Sequence, residues 1–282
     1  MRTRFLSKLT NGEIEDYLDH NDLIYIPVGV TETHGALPVD AETVLAEAVA
    51  LKMAEASDGL VLHNLPYFFA GGTPTGRGTL QLSVKTGYDY LMAISQSLLK
   101  QGFRRQVYVT CHGPAYLYVS SMIRDFFSET NVPILYLDLI AVPQAIEDLS
   151  FNFMDKFHQI SIGAYKILNR LDDVPLNVPE SNSVTYDINK MMTGMQEPPA
   201  SKLAKYAMQS GAIGYYFNEA STHMVTPLLK TAEQRDELAD EGIEAIDELV
   251  TKLNLPEIVE HLRQADHYTQ TVSLEKYPWL KK

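Results

Sequence analysis

Glu32 and His34 stand two residues apart, directly after the apolar run Leu23 to Val30 (LIYIPVGV). If the chain stays extended through them, that spacing puts a carboxylate and an imidazole on one face. Glu42 follows at the start of a helix-patterned stretch, where the positive end of the helix dipole favours an ionised carboxylate. His112 closes another apolar run, Val107 to Cys111, in the equivalent strand-end position. Together Glu32, His34, Glu42 and His112 make a candidate ligand set for a divalent cation. Imidazole with carboxylate suits Zn, Mn or Fe rather than Ca or Mg. A cation so held brings the pKa of a bound water toward about 7 and polarises a carbonyl, which is the chemistry of a hydrolase.

These residues need strand ends and helix starts to position them, and the hydropathy pattern supplies both. Short β-branched or aromatic runs at 23–30, 60–65, 107–111 and 132–139 alternate with longer amphipathic stretches. That alternation predicts a mostly parallel sheet with helices on both faces, a three-layer α/β/α fold. Helices are expected through about Leu18, over Glu42 to Ala56, around Tyr88 to Leu99, after Pro114 through Phe127, over His158 to Leu168, near Lys202 to Met208, and finally from Thr231 to Leu253. Thr10 and Glu13 have capping-box spacing, and Thr231 with Gln234 can cap the last helix. A polar stretch lies around Asn182 to Asp187. In open sheets of this kind, functional groups collect beyond the carboxyl ends of the strands.

The chain has 282 residues, 23 Lys and Arg against 36 Asp and Glu, and so a formal charge of −13. That balance argues against nucleic acid or an anionic membrane surface as partner, since both need basic residues. No apolar run is long enough to span a bilayer, and the lone Cys111 excludes an internal disulfide framework. The expectation is a cytoplasmic protein whose residues 1–282 form a single domain, without repeat or linker.

Other candidates carry less chemistry. The loop from Gly71 to Gly78 has the G-x-x-x-x-G spacing, but Arg77 and Gly78 occupy the places where a P-loop needs Lys and Ser or Thr. Arg77 is read either as a contact to an anionic or hydroxylated substrate or as a surface cation on a turn. No G-x-S-x-G elbow occurs. Strand alternation turns Cys111 away from His112, and packing is its expected role. The cluster Met191, Met192 and Met195 is read as core or interface packing.

The stretch LTNGEIEDYLDHNDLIYIPVGVTETHGALPVDAET resembles the start of the creatininase (creatinine amidohydrolase) family, whose hallmark runs P-x-G-s-x-E-x-H-G-x-H-L-P-x-x-x-D. Pro27, Gly29, Glu32, His34, Gly35, Leu37 and Pro38 fall in register. GRGTLQL resembles the family's P-G-T loop, TCHGPA stands at the place of N-G-H-G-G-N, and GAIGYYFNEAST resembles a later glycine-containing segment. The resemblance implies a layered α/β/α hydrolase, usually a hexamer, with one or two metal ions that activate water. It places Glu32 and His112 on one ion, His34 on the other, and Glu42 where the family has a bridging aspartate.

Three departures accompany the match. The family's second histidine, after Gly35, is missing; Pro114 and Ala115 replace Gly-Gly-Asn or a further acidic ligand; and HQISIGAYKIL keeps His158 but places Gly163, Ala164 and Tyr165 at the acid and hydroxyl positions of H-A-G-x-x-E-T-S. By the resemblance, His158 would protonate the leaving atom. The implied substrate is a small, polar, cyclic molecule other than creatinine, opened at a cyclic amide C–N bond. Alternatives are C–C hydrolysis of a cyclic polyhydroxy diketone, as in inositol breakdown, and a degenerate member acting as a binding or structural subunit.

Overall fold

A computed structural model of the protein describes residues 1–179, 203, 213–217, 223 and 228–282. The expected polar stretch at 182–187 and the methionine cluster lie outside the described residues. So does the expected helix at 202–208, apart from Leu203.

Four parallel strands, β1 (Leu23–Pro27), β2 (Leu60–Val61), β3 (Arg105–Thr110) and β4 (Leu135–Asp138), form the sheet among the described residues, in the order β2-β1-β3-β4. Leu23 pairs with Arg105, Ile24 with Leu60 and Val107 with Leu135. β1 is shorter than its apolar run because that run continues into a buried loop. Past β1, Val28 still bridges to Leu65, and Val28 and Val30 are fully buried.

Side-chain alternation divides the core into two layers. Leu23 and Tyr25 of β1, with Val107 and Val109 of β3, face α2 (Ala41–Ser57), α5 (Phe157–Ile167) and α6 (Ala232–Lys252). Ile24, Ile26 and Tyr108 face the opposite way, toward α1 (Asn11–Leu18), α3 (Val84–Lys100) and α4 (Tyr116–Thr130). The three-layer α/β/α expectation therefore holds. Thr10 caps α1 in a full capping box, and Thr231 Oγ1 accepts from Gln234 N at 3.2 Å at the start of α6.

One helix escaped the sequence pattern. The chain does not finish its helical part at Leu253: Asn254 turns left-handed at φ 47°, Pro256 sits in the next first turn, and α7 runs Leu255–Tyr268. Asparagine tolerates that conformation, and proline's missing N–H costs nothing in a first turn. Among the described residues no helix is long and apolar enough to cross a membrane.

The strand order places the site. From β1 the chain moves one way to β2, then returns past β1 to β3. Right-handed crossovers therefore put α2 on one face and α3 on the other. A crevice opens where the order reverses, beyond the carboxyl ends of β1 and β3. Those ends lead to Glu32 and His34 on one side and to His112 on the other.

Candidate metal centre

The loop after β1 is shaped to present two side chains inward. Glu32 N donates to Val39 O at 2.9 Å and Leu37 N to His34 O at 3.1 Å, with Gly35 at the left-handed φ of 59° that this tight return needs. Glu32 and His34 are buried, as are Glu42 in the first turn of α2 and His112 at the end of β3. Gly29 brings α2 close: a Cβ there would lie 2.5 Å from the Thr43 Cα. Thr73 donates its hydroxyl to Glu32 Oε2, tying the 71–78 loop to the same group.

Two imidazoles are oriented by backbone carbonyls. His34 Nδ1 lies 3.1 Å from Glu32 O, and His112 Nε2 lies 2.9 Å from Phe69 O. A carbonyl only accepts, so each of these nitrogens carries the hydrogen, and the opposite nitrogen of each ring is turned to the carboxylates. His34 Nε2 stands 3.3 Å from Glu42 Oε1; His112 Nδ1 stands 2.8 Å from Glu42 Oε2 and 3.2 Å from Glu32 Oε1.

His223 completes the group. Its Nε2 is 3.5 Å from Glu32 Oε1 and its ring centroid 4.9 Å from that of His34. Ligand atoms of Glu32, His34, Glu42 and His223 all lie within 4.8 Å of one another. His223 lies outside the residues that motif spacing marks. No local spacing marks it, and the one signal is that it directly follows GAIGYYFNEAST, one of the segments with family resemblance.

Electrostatics bind the group tightly. Burial alone would raise the Glu32 carboxyl, but the facing imidazoles of His223 and His112 hold it well below the usual carboxylate range. Burial is likewise overcome at Glu42, chiefly by His112, and its pKa is lowered. Burial would lower His112, yet Glu42 and Glu32 lift it to about 10; His34 is raised against burial by Glu42. Glu32 Oε1, His34 Nε2 and His223 Nε2 are nevertheless buried without a hydrogen-bond partner of proper geometry. Buried polar atoms are seldom left so, and two carboxylates converging on three imidazoles is a donor set that a divalent cation satisfies. The residues therefore fit a metal ion.

Glu32, His34, Glu42 and His112 are thus brought together, and Arg77 and His158 are not. Arg77 is exposed, with no ion pair among the described residues, on a loop held where Gly76 packs so closely that a Cβ would meet Thr33 Cγ2 at 2.2 Å. On α5 it is Phe157, not His158, that faces the group, stacking on His34 with centroids 6.2 Å apart. Neighbouring residues of a helix point about 100° apart, and His158 is half-buried with Glu241 of α6 as its charged neighbour; burial lowers its pKa. The Gly163 that replaces the family's acid serves packing: its Cβ would lie 2.8 Å from the backbone of Gly242 and Ile243 in α6. Cys111 is buried, with burial pushing its thiol well up, as its packing role requires.

The fold and the site thus define an α/β/α protein with a buried carboxylate–imidazole group at the switch point of a parallel sheet. The family model for creatininase (creatinine amidohydrolase) matches residues 7–161, more than half of the chain, and the chain belongs to that family. A 3-dehydro-scyllo-inosose hydrolase from Thermotoga maritima is 29% identical over 140 residues, covering 48% of this chain and 44% of that protein. The match thus spans under half the length of that curated relative. Among solved structures, a Bacteroides fragilis protein assigned as a creatinine amidohydrolase superposes with a TM-score of 0.64 at 20% identity, covering 94% of this chain and 98% of the other. A creatininase described as the Mn form gives a TM-score of 0.55 at 20% identity, with 88% and 98% covered.

Proposed function

We propose that the protein is a metal-dependent hydrolase acting at a carbonyl of a small cyclic substrate, with a cyclic amide C–N bond as the favoured target. The observation that carries this reading is the convergence of Glu32, His34, Glu42 and His223 within 4.8 Å, their free nitrogens and oxygens buried. These residues and His112 would hold the ion or ion pair, with Zn, Mn or Fe as the metals their chemistry suits. When bound, such an ion supplies an activated water and polarises the carbonyl.

The chain's own groups do the rest. Glu32 and Glu42 gather the negative charge that holds the cation. The carbonyls of Glu32 and Phe69 fix the ring orientation of His34 and His112. Phe157 and Phe217, stacked near His34 and His223, keep bulk water from the group and so strengthen every charge interaction within it. Arg77, exposed and without an ion pair among the described residues, would meet a polar part of an arriving substrate. We read residues 1–282 as one catalytic unit of a cytoplasmic homo-oligomer, a hexamer by family analogy.

A second reading, C–C hydrolysis of a cyclic polyhydroxy diketone, is favoured by the match to the Thermotoga maritima hydrolase. The test is elemental analysis of the purified protein followed by a screen of cyclic amides against inositol-derived ketones. Bound Zn, Mn or Fe with a ring-opened product that carries both a new carboxylate and the freed, still tethered nitrogen supports the first reading, and a ring-opened keto acid from a nitrogen-free ketone supports the second. Protein that neither contains nor takes up these metals is a binding or structural member of the family instead.

A further inference from the structure

A second cluster of charged side chains shares no residue with the metal group. It surrounds a cavity of about 340 Å³ enclosed by the amino-terminal segment, α2, the loop after β2 and the end of α5. We propose that this cavity binds a small monocarboxylate, its head on Lys8, His63 and Arg170 and its short apolar body on Leu51 and Ile167. The site stands or falls independently of the hydrolase reading.

The first observation is how His63 is held. Glu47 is a buried carboxylate on the largely apolar α2, which is costly unless it is bonded, and both of its oxygens are taken. Its Oε1 accepts from His63 Nδ1 at 2.8 Å, and its Oε2 accepts from Asn64 Nδ2. The His63 ring also stacks on Phe5, with centroids 4.9 Å apart and planes 14° from parallel. Binding sites are built from side chains locked in this way by packing and a supporting bond. What remains is Nε2, at the ring edge turned from Glu47.

The second observation is the charge around the cavity. Lys8 Nζ lies 4.6 Å from the Phe5 centroid and has no ion pair among the described residues. Arg170 gives Nε to Asp173 at 2.7 Å and Nη2 to Asp40 at 2.8 Å, which leaves Nη1 outside both bonds. In its charged form His63 donates from both ring nitrogens, one to Glu47 and the other to a bound anion. In a chain of formal charge −13, Lys8, Arg170 and the charged His63 thus line one cavity with a single carboxylate, the already bonded Glu47. The end of α5 does not oppose an anion. Free carbonyls there would repel it, but Ala164 O, Tyr165 O and Lys166 O accept from the N–H groups of Leu168, Arg170 and Asn169.

The third observation selects the ligand. Leu51, Ile167 and Leu168 form an apolar wall beside the cations, which a bare ion would leave uncovered. The cations' own partners, Glu47, Asp40 and Asp173, are acids, and a dianion such as phosphate meets more of their repulsion than one carboxylate does. A carboxylate accepts from two donors at once, and an attached apolar body displaces water from the wall.

Ligand-observed NMR on the full chain as purified, with isovalerate as the probe, tests the site. Isovalerate should bind with a dissociation constant of about 1 mM. Acetate lacks the body, 3-methylbutan-1-ol lacks the charge and inorganic phosphate carries too much of it, so each should bind at least about fivefold more weakly. Lys8→Gln, an exposed change that spares the fold, and His63→Gln should each weaken isovalerate at least about fivefold. His34→Ala should not, which separates this cavity from a carboxylate held by the metal group. No binding of isovalerate, equal affinity for phosphate or the alcohol, binding lost in His34→Ala, or affinity kept in both Lys8→Gln and His63→Gln overturns the proposal.

Discussion

Tyr165 donates its hydroxyl to Asp40 Oδ1 at 2.5 Å, so that α5 grips the residue from which α2 begins. Asp40 stands at the N-cap of α2 yet makes no capping bond with its side chain; its other oxygen accepts from Arg170 at 2.8 Å. Two residues further on is Glu42, the carboxylate shared by His34 and His112. In Tyr165→Phe the bracket loses one charge-assisted bond from a fully buried ring, worth about 1.5–3 kcal/mol, and a Tm drop of about 3–10 °C is expected. Metal affinity should fall about threefold to tenfold, as when an outer support of a ligand is lost. Calorimetric titration with Mn checks this; unchanged affinity alongside a lowered Tm would make the bond a simple helix strut.

His223 should matter as much as the histidines that the motif marks. His223→Ala, His34→Ala and His112→Ala are each expected to weaken Zn or Mn binding at least about tenfold. Cys111→Ala and His158→Gln should leave it intact. Equilibrium dialysis with elemental analysis reads all five, and full occupancy in His223→Ala would remove that residue from the ligand set.

Metal and protons compete for this site. His112, lifted to about 10 by Glu42 and Glu32, holds its proton at neutral pH in the metal-free chain, and His34 is raised in the same direction by Glu42. Cation uptake must release bound protons, so affinity rises with pH, and titrations in buffers of different ionisation enthalpy should show net proton release. The linkage to folding has a definite sign. The two raised histidines contribute stability that is complete below their ordinary 6.5 and is lost as pH climbs toward the folded value. The lowered Glu32 and Glu42 contribute above their ordinary 4.5 and lose it as pH falls. The metal-free protein should therefore melt highest between 4.5 and 6.5, and a melting temperature that rises steadily from pH 6.5 to 9 would contradict it.

The α5–α6 crossing tolerates no side chain at its centre. A Cβ on Gly242 would lie 1.9 Å from Gln159 O, a backbone atom that cannot swing away. Gly242→Ala should cost at least about 1–3 kcal/mol by overpacking, seen as a lowered urea midpoint. An unchanged midpoint would mean that the helices separate freely.

Much of this was legible in the sequence where local chemistry and tertiary position agree. The nearly continuous apolar run LIYIPVGV marks a strand buried on both faces, and the helix pattern puts Glu42 in a first turn. His223 was hidden because nothing near it in the chain shares its task; its partners lie more than a hundred residues away and meet it only through tertiary folding. His158 is the converse case. A helical histidine near a family motif says nothing about which face it takes, and the face toward His34 belongs to Phe157. Gly163 stands where the family has an acid because the backbone of α6 lies against it, which no local pattern in the chain reveals. The helix α7 was obscured by Asn254 and Pro256, which end one helix and open the next within three residues.

The proposed ligands come from positions 32, 34, 42, 112 and 223, so an ion held by Glu32 and His223 would close a loop of about 190 residues. A bond across so long a stretch of chain acts as a fastener, restricting the unfolded state much as a long-range disulfide does. This chain has one cysteine and no such covalent tie. Chelation would therefore open the seam between the two halves of the chain in the same act that disarms the site, and protease sensitivity and inactivation would follow a common metal-dependence.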